Sequence, residues 1–277
     1  MTIDFHTHIF PRDVLAARDL YMDDPGFKLL YSSEKSVVTD HAGLAEYISA
    51  NELSGAAAMS FPWNVEKHCL RQNEYMASLI GSSCVFPFGM IPLTRSKSVR
   101  AYAEEIKNSG LYGIGEIAFY NGGMTDSNIR FLREVLEAAA EFSLPVCLHV
   151  NEPVGHQYPG KYEPSLAAVY ELLKSVPGAT VILAHWGGGL FFYELMPEAH
   201  EVLKTVYYDT AATPYLYRSD IYSSAIKIVG AEKIIFGSDY PLLGISRYRR
   251  SIEDEVLSVE DREKIFGKNV QRLLFIS

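Results

Sequence analysis

The feature that most restricts the fold is a rhythm. Eight short apolar runs, rich in Val, Ile, Phe and Ala, alternate with longer segments of helical period. The runs are Thr2–His6, Gly55–Ser60, Cys84–Ile91, Tyr112–Ile117, Pro145–Val150, Ala179–His185, Thr205–Asp209 and Lys233–Asp239. Such alternation implies parallel strands joined by helical crossovers. Each run is too continuously apolar to leave a face in water, as expected where helices cover one side and a barrel interior the other. Eight strand–helix units in 277 residues point to an α/β fold, the (β/α)8 TIM barrel, whose active site lies at the C-terminal ends of the strands. No repeat, low-complexity tract or linker interrupts the chain, so residues 1–277 read as a single domain.

Helix ends are marked. Asp126 is placed to cap a helix whose Ile129, Leu132, Val135, Leu136 and Ala139 share one face, with Pro145 beyond its end. Ser258 to Asp261 resembles a capping box, and Gly267 reads as a stop. Two stretches break the rhythm. Ile9 to Thr39 is too long for an ordinary strand-to-helix loop and is a lid or substrate-loop candidate. Asn151 to Glu163, after the fifth strand, is shorter, polar and aromatic.

His6 and His8 lie two apart on the first strand, so alternation points both imidazoles the same way. Two ligands do not make a catalytic metal site, which normally takes three protein ligands and a water. The partners stand at the ends of later runs: Glu116, His149, His185 and Asp239 each follow an apolar run directly. Singly, each has a structural reading, as a hydrogen-bonded strand-end histidine or a helix cap. Jointly, residues of metal-ligand type at the C-terminal ends of the first, fourth, fifth, sixth and eighth strands point to a metal centre.

Composition narrows the partners. A net charge of −9 opposes sequence-independent binding to nucleic acid, which needs a basic surface to displace counterions. No apolar run approaches a membrane span, and the N-terminus has no basic-then-apolar signal, so a cytoplasmic protein is expected. The three cysteines, Cys69, Cys84 and Cys147, cannot all pair and show no CxxC spacing. Cys147, two before His149, shares its inward face and reads as barrel filling. A small-molecule substrate is the favoured partner, and a homo-oligomer is left open.

With these residues in view, the chain resembles the amidohydrolase superfamily, and within it the amidohydrolase-related branch. The resemblance runs from Asp4-Phe5-His6-Thr7-His8 to Gly267-Lys268-Asn269-Val270-Gln271-Arg272-Leu273, similar to that branch's Gly-x-Asn-Ala-x-Arg-Leu ending. It implies a divalent metal, zinc foremost, as one ion or two, held by His6, His8, His149 and Asp239 with His185 beside it. It also implies that Asp239 takes a proton from metal-bound water. Members that bridge two ions with a carboxylated Lys on the fourth strand differ, because no Lys lies near that strand's end here. Glu116 stands there instead, as in TatD-type deoxyribonucleases. It either joins the metal or hydrogen-bonds a metal-bound His.

Weaker substrate-contact candidates surround this set. His156, Tyr158 and Lys161 occupy one short loop, and Lys161 or His156 would meet an anionic group. Trp63 either walls the pocket or packs. Arg218 and Arg247, after the seventh and eighth strands, either pair with a substrate carboxylate or form surface ion pairs. The expected function is a metal-dependent hydrolase acting on a small anionic amide, lactone or ester. A nonoxidative decarboxylase of the same family is the alternative, with a phosphodiesterase or an inactive binding barrel behind it.

Overall fold

The structure, a computed structural model, describes residues 1–162, 165–253, 255 and 257–276, the side chains of 250, 251 and 253 excepted. Glu163, which ends the polar segment after the fifth strand, lies outside the described residues. The eight expected strands are present as β1 (Ile3–His8), β2 (Gly55–Met59), β3 (Val85–Pro87), β4 (Ile114–Ile117), β5 (Val146–Leu148), β6 (Val181–Leu183), β7 (Val206–Asp209) and β8 (Ile234–Ile235). All pairings are parallel, in the orders β1-β2-β3 and β4-β5-β6-β7-β8.

Backbone bonds close both seams between these two sheets. Phe5 N–H donates to Phe236 O at 2.9 Å and His8 N–H to Tyr240 O at 2.7 Å. At the other seam Gly89 N–H donates to Gly113 O and Gly115 N–H to Gly89 O, both at 2.9 Å. The bridges Thr7–Tyr240 and Gly89–Ile114 are likewise parallel. The ring is an eight-stranded barrel, as the apolar runs imply.

Phe5, Phe88, Cys147, Ile182, Ala184 and Ile235 fill its interior, and Val270, Leu273 and Leu274 of the last helix pack against this filling. Cys147 is therefore packing, with burial pushing its thiol up to about 12. A second, larger core lies between the strands and the helices, and includes Leu132, Val135 and Leu136 of the helix Asp126–Phe142. Among the described residues, no helix is long and apolar enough to cross a membrane.

Two local expectations need correction. The cap of Asp126–Phe142 is Thr125, whose hydroxyl accepts from Asn128 N–H, and Asp126 is the first helical residue. Ser258 does cap its helix by accepting from Asp261 N–H at 3.0 Å. Gly267 does not stop a helix: it sits in a π-turn, Lys264–Lys268, that runs on into Asn269–Leu274. A Cβ there would stand 2.9 Å from the Met1 carbonyl oxygen, so glycine serves the close passage of the N-terminus. In the helix Glu66–Ala77, His68 is buried against Tyr21 and Trp63 and bonds Asp23 at 2.7 Å.

The long connection after β1 is built rather than loose. It contains the helix Arg12–Ala16, a 3-10 turn at Arg18–Tyr21 and the helix Pro25–Tyr31. Asp24 ties it down. Its buried carboxylate accepts from Gly26 N–H (3.0 Å), Phe27 N–H (3.1 Å), Asn64 N–H (2.6 Å) and Val65 N–H (3.0 Å). One side chain thus caps the helix Pro25–Tyr31 and holds it to the loop after β2.

Candidate active site

The strand ends deliver six side chains to one place. His6 and His8 meet with their Nε2 atoms 3.0 Å apart. Asp239 Oδ1 stands 3.3 Å from His8 Nε2 and 3.8 Å from His6 Nε2. On the facing side, Glu116 Oε1 is 2.9 Å from His149 Nδ1 and 3.4 Å from His185 Nε2. Its other oxygen lies 3.6 and 3.7 Å from the Nε2 atoms of His6 and His8. Glu116 therefore joins the two halves.

Regular strands would not place these groups so. Phe5 fills the barrel interior, yet His6, its neighbour, also faces inward, which strict alternation forbids. The register of β1 on β2 shifts between Asp4 and Thr7, and that of β4 on β5 between Ile114 and Ile117. Irregularities of this kind re-aim side chains, here His6 and Glu116. At the end of β8 the backbone of Gly237 passes so close to His6 that a Cβ would stand 2.5 Å from the His6 Cβ. His185 and Asp239 hold left-handed backbone, with φ of 56° and 70°. Such conformations in non-glycine residues persist only when their surroundings fix them. His185 N–H donates to Asp209 Oδ1 at 2.9 Å and Asp239 N–H to His6 O at 2.8 Å.

Asp209 is the residue the sequence reading missed. Buried at the end of β7, it accepts from one imidazole and two backbone N–H groups: His6 Nδ1 at 2.7 Å, His185 N–H at 2.9 Å and Ala211 N–H at 3.0 Å. The signal was available, since Asp209 also ends an apolar run. Asp4 is a second support. It accepts from Ser238 N–H and the Tyr47 hydroxyl, and burial pushes its pKa up to about 6 against these bonds.

The electrostatics of the cluster call for positive charge. Burial pulls the His6 pKa down, but the Asp209 and Glu116 carboxylates override it and hold it well above the usual imidazole range. For His185, burial again opposes, and Glu116 followed by Asp239 lifts it to about 9. Burial raises Glu116, yet His149 and His6 keep it well below the carboxylate range. Asp239 falls to about 2, its burial outweighed by His8 and His6. Three carboxylates sharing one largely dry site need cationic partners.

A divalent cation fits that need. Ligand atoms about 2.1 Å from an ion stand ~3.0–3.4 Å from one another at octahedral or tetrahedral angles. His6 Nε2, His8 Nε2 and Asp239 Oδ1 approach those separations. They form one group of metal-ligand type, and Glu116, His149 and His185 form another. His149 Nε2 is moreover buried without a hydrogen-bond partner. In such a site Asp209 would orient His6 through the ring nitrogen turned away from the ion.

Above this floor opens a cavity of about 880 Å³. Its lining includes Leu30, Tyr31, Phe61, Tyr120, His156 and Tyr158, with Glu116, His149, His185 and Asp239 below. His156 and Tyr158 thus occupy the wall, as does Lys35, which sequence reasoning did not single out. The remaining wall expectations are not met. Lys161 turns away, its ammonium paired with Glu152 Oε1 at 2.7 Å and with the carbonyls of Val154 and His156. Trp63 is buried behind the wall, stacked on Phe27 and donating to Gln72, because an indole gains more from that aromatic packing than from the cavity face. Arg218 pairs with Asp220 at 2.6 Å on the surface. Arg247 is exposed over the ring of Tyr215, outside the lining.

Residues 3–276 match the profile of the family described as amidohydrolase. The chain belongs to the amidohydrolase family. The resemblance read from its histidines and C-terminal segment is borne out, and with it the fold. No curated protein matches the sequence at a significant level. Among solved structures, 5-carboxyvanillate decarboxylase from Sphingomonas paucimobilis superimposes with a TM-score of 0.76 at 14% identity, covering 100% of this chain and 99% of that one. A 2,6-dihydroxybenzoate decarboxylase from Rhizobium gives 0.69 at 14% identity, over 99% and 98% of the two chains. A dihydroxybenzoic acid decarboxylase from Polaromonas sp. JS666, with bound manganese and the inhibitor 2-nitroresorcinol, gives 0.69 at 16%, over 99% and 96%. These likenesses show that the barrel fold is shared over essentially the whole chain.

Proposed function

We propose that the chain is a metal-dependent nonoxidative decarboxylase of small aromatic carboxylic acids. The observation that carries the reading is the form of the cavity: a carboxylate–histidine floor under walls that are mainly aromatic and aliphatic. Apolar walls suit a planar ring and a reaction in which a charged carboxylate leaves as neutral CO2. The activities of the superimposable decarboxylases support the choice over hydrolysis, which uses the same floor. The bound manganese of one of them makes a manganese-type ion as reasonable here as zinc.

His6, His8, His149 and Asp239 would hold the ion, with Glu116 within reach of both halves. When bound, it would draw electron density from a carboxylate and an adjacent oxygen. Asp239, at the edge of the floor, is the proton carrier. It takes a proton from the substrate's acidic hydroxyl and gives it to the ring carbon that bears the carboxylate. The electrons of the breaking C–C bond then return to the ring as CO2 departs, and the hydroxyl regains a proton from solvent. His185 stands beside the same position, its Nε2 3.4 Å from Glu116 Oε1.

The test is incubation of manganese-loaded protein with hydroxylated benzoic acids in D2O, reading CO2 release and deuterium at the vacated carbon. Both are expected together. Cleavage of an amide, lactone or ester panel without CO2 release from any acid would return the reading to hydrolysis.

A further inference from the structure

We infer that the hydroxyls of Tyr31 and Tyr120 recognise the ring oxygens of the aromatic acid, doing with neutral donors what the basic residues near the site do not do. The inference rests on the decarboxylase reading for its ligand class, and it assigns a specificity role to two residues that the metal chemistry does not use.

The basic side chains near the cavity are spent or peripheral. Lys161 is saturated by Glu152 and two carbonyls, and Arg218 pairs with Asp220. Arg247 lies over Tyr215, and Lys35, although part of the wall, is an exposed residue. An oxygen substituent on a ring bound over the floor is within the lining that the tyrosines share with Glu116 and Asp239. Two of the tyrosines around the floor are already engaged: Tyr158 donates to Glu152 at 3.0 Å and Tyr162 to the His149 carbonyl at 2.9 Å. Tyr31 and Tyr120 line the cavity with Glu116 and Asp239, and neither hydroxyl has a hydrogen-bond partner among the described residues.

Both rings are held in place. Tyr31 packs edge-on against Phe10 at 5.3 Å and Phe61 at 5.8 Å, and lies tilted on Phe27 at 4.9 Å. It ends the helix that Asp24 ties to the loop carrying Phe61. Tyr120 stacks on Phe61 and meets His149 edge-on at 5.4 Å. Rings fixed by packing, with hydroxyls left unpaired beside carboxylates, are preorganised donors. A ligand oxygen that pairs with them removes the cost of leaving a polar group unsatisfied in a filled cavity.

The experiment is calorimetric binding of benzoate and its 2-, 3- and 4-hydroxy derivatives to manganese-loaded wild type, Tyr31→Phe and Tyr120→Phe. At least one hydroxylated acid is expected to lose about tenfold in affinity in each variant while benzoate is unchanged. Because neither hydroxyl has a hydrogen-bond partner among the described residues, both variants should melt at the wild-type temperature. Equal weakening of benzoate, no weakening of any hydroxylated acid, or no binding of any probe would overturn the inference. CO2 release by wild type is read separately: binding with the predicted discrimination but no CO2 sinks the decarboxylase reading and leaves the recognition role standing.

Discussion

The floor of the cavity and its walls are built by different means. Every floor residue sits on a barrel strand or within a few residues of its C-terminal end, where ladder bonds fix the backbone: His6 and His8 on β1, Glu116 on β4, His149 after β5, His185 after β6, Asp239 after β8. Wall residues come from segments beyond the strand ends, among them the stretch after β1 and the loops after β2, β4 and β5, held by side-chain knots such as Asp24 and the Lys161–Glu152 pair. A floor on strands resists displacement, and a wall on loops depends on a few buried polar contacts. Substitution should therefore damage chemistry when it strikes the floor, and stability or selectivity when it strikes the walls.

The largest expected effect falls on the floor. Asp239→Asn keeps the shape and removes the proton carrier, so turnover of a decarboxylated acid should fall about 10³-fold. A variant retaining more than about a tenth of wild-type turnover would break the division of labour. Lys161→Met attacks a wall. The side chain is only 3% exposed, and leaving Glu152 without its cation should cost about 3 kcal/mol. Thermal unfolding should drop by roughly 5–10 °C, with metal content unchanged; lost metal at constant melting temperature would reverse the comparison.

Asp209→Asn sharpens the boundary from below the floor. The group touches no cavity, but it holds His6 Nδ1, and losing such support typically weakens metal affinity by about 10–100-fold. Titration of manganese into the stripped variant checks this, and wild-type affinity would make Asp209 a purely structural residue. Arg218→Ala, whose side chain is 88% exposed, should change neither melting temperature nor ligand affinity. A weakened anionic ligand there would restore the surface arginine to the site.

This division also explains what the sequence made legible. The barrel and its floor followed from periodicity, because apolar runs announce strands and the residue closing each run must lie at the active face. Glu116 and His6 are visible this way even though local register shifts aim them. Asp209 closes an apolar run as well, but its role depends on its partner His6, 203 positions away, a pairing that no local pattern announces. The walls were misjudged for a related reason. Lys161 looked like a substrate contact because its loop follows His149, but its ammonium is taken by Glu152 from the same loop. Trp63 follows β2, yet long-range packing with Phe27 and Gln72 draws it behind the cavity. Tyr31 belongs to the stretch that reads from sequence as a lid or substrate-loop candidate, and its value as a donor comes from a hydroxyl with no bonded neighbour among the described residues, which only the structure reveals.

The most direct test of the metal-centred floor is metal analysis of chelator-free protein beside its His6→Ala variant, each stripped and then titrated with manganese. Wild type should carry a tightly held divalent ion and regain it on titration with a rise in melting temperature, while the folded variant regains none. Wild type that folds, binds no manganese or zinc and melts unchanged in their presence would contradict it.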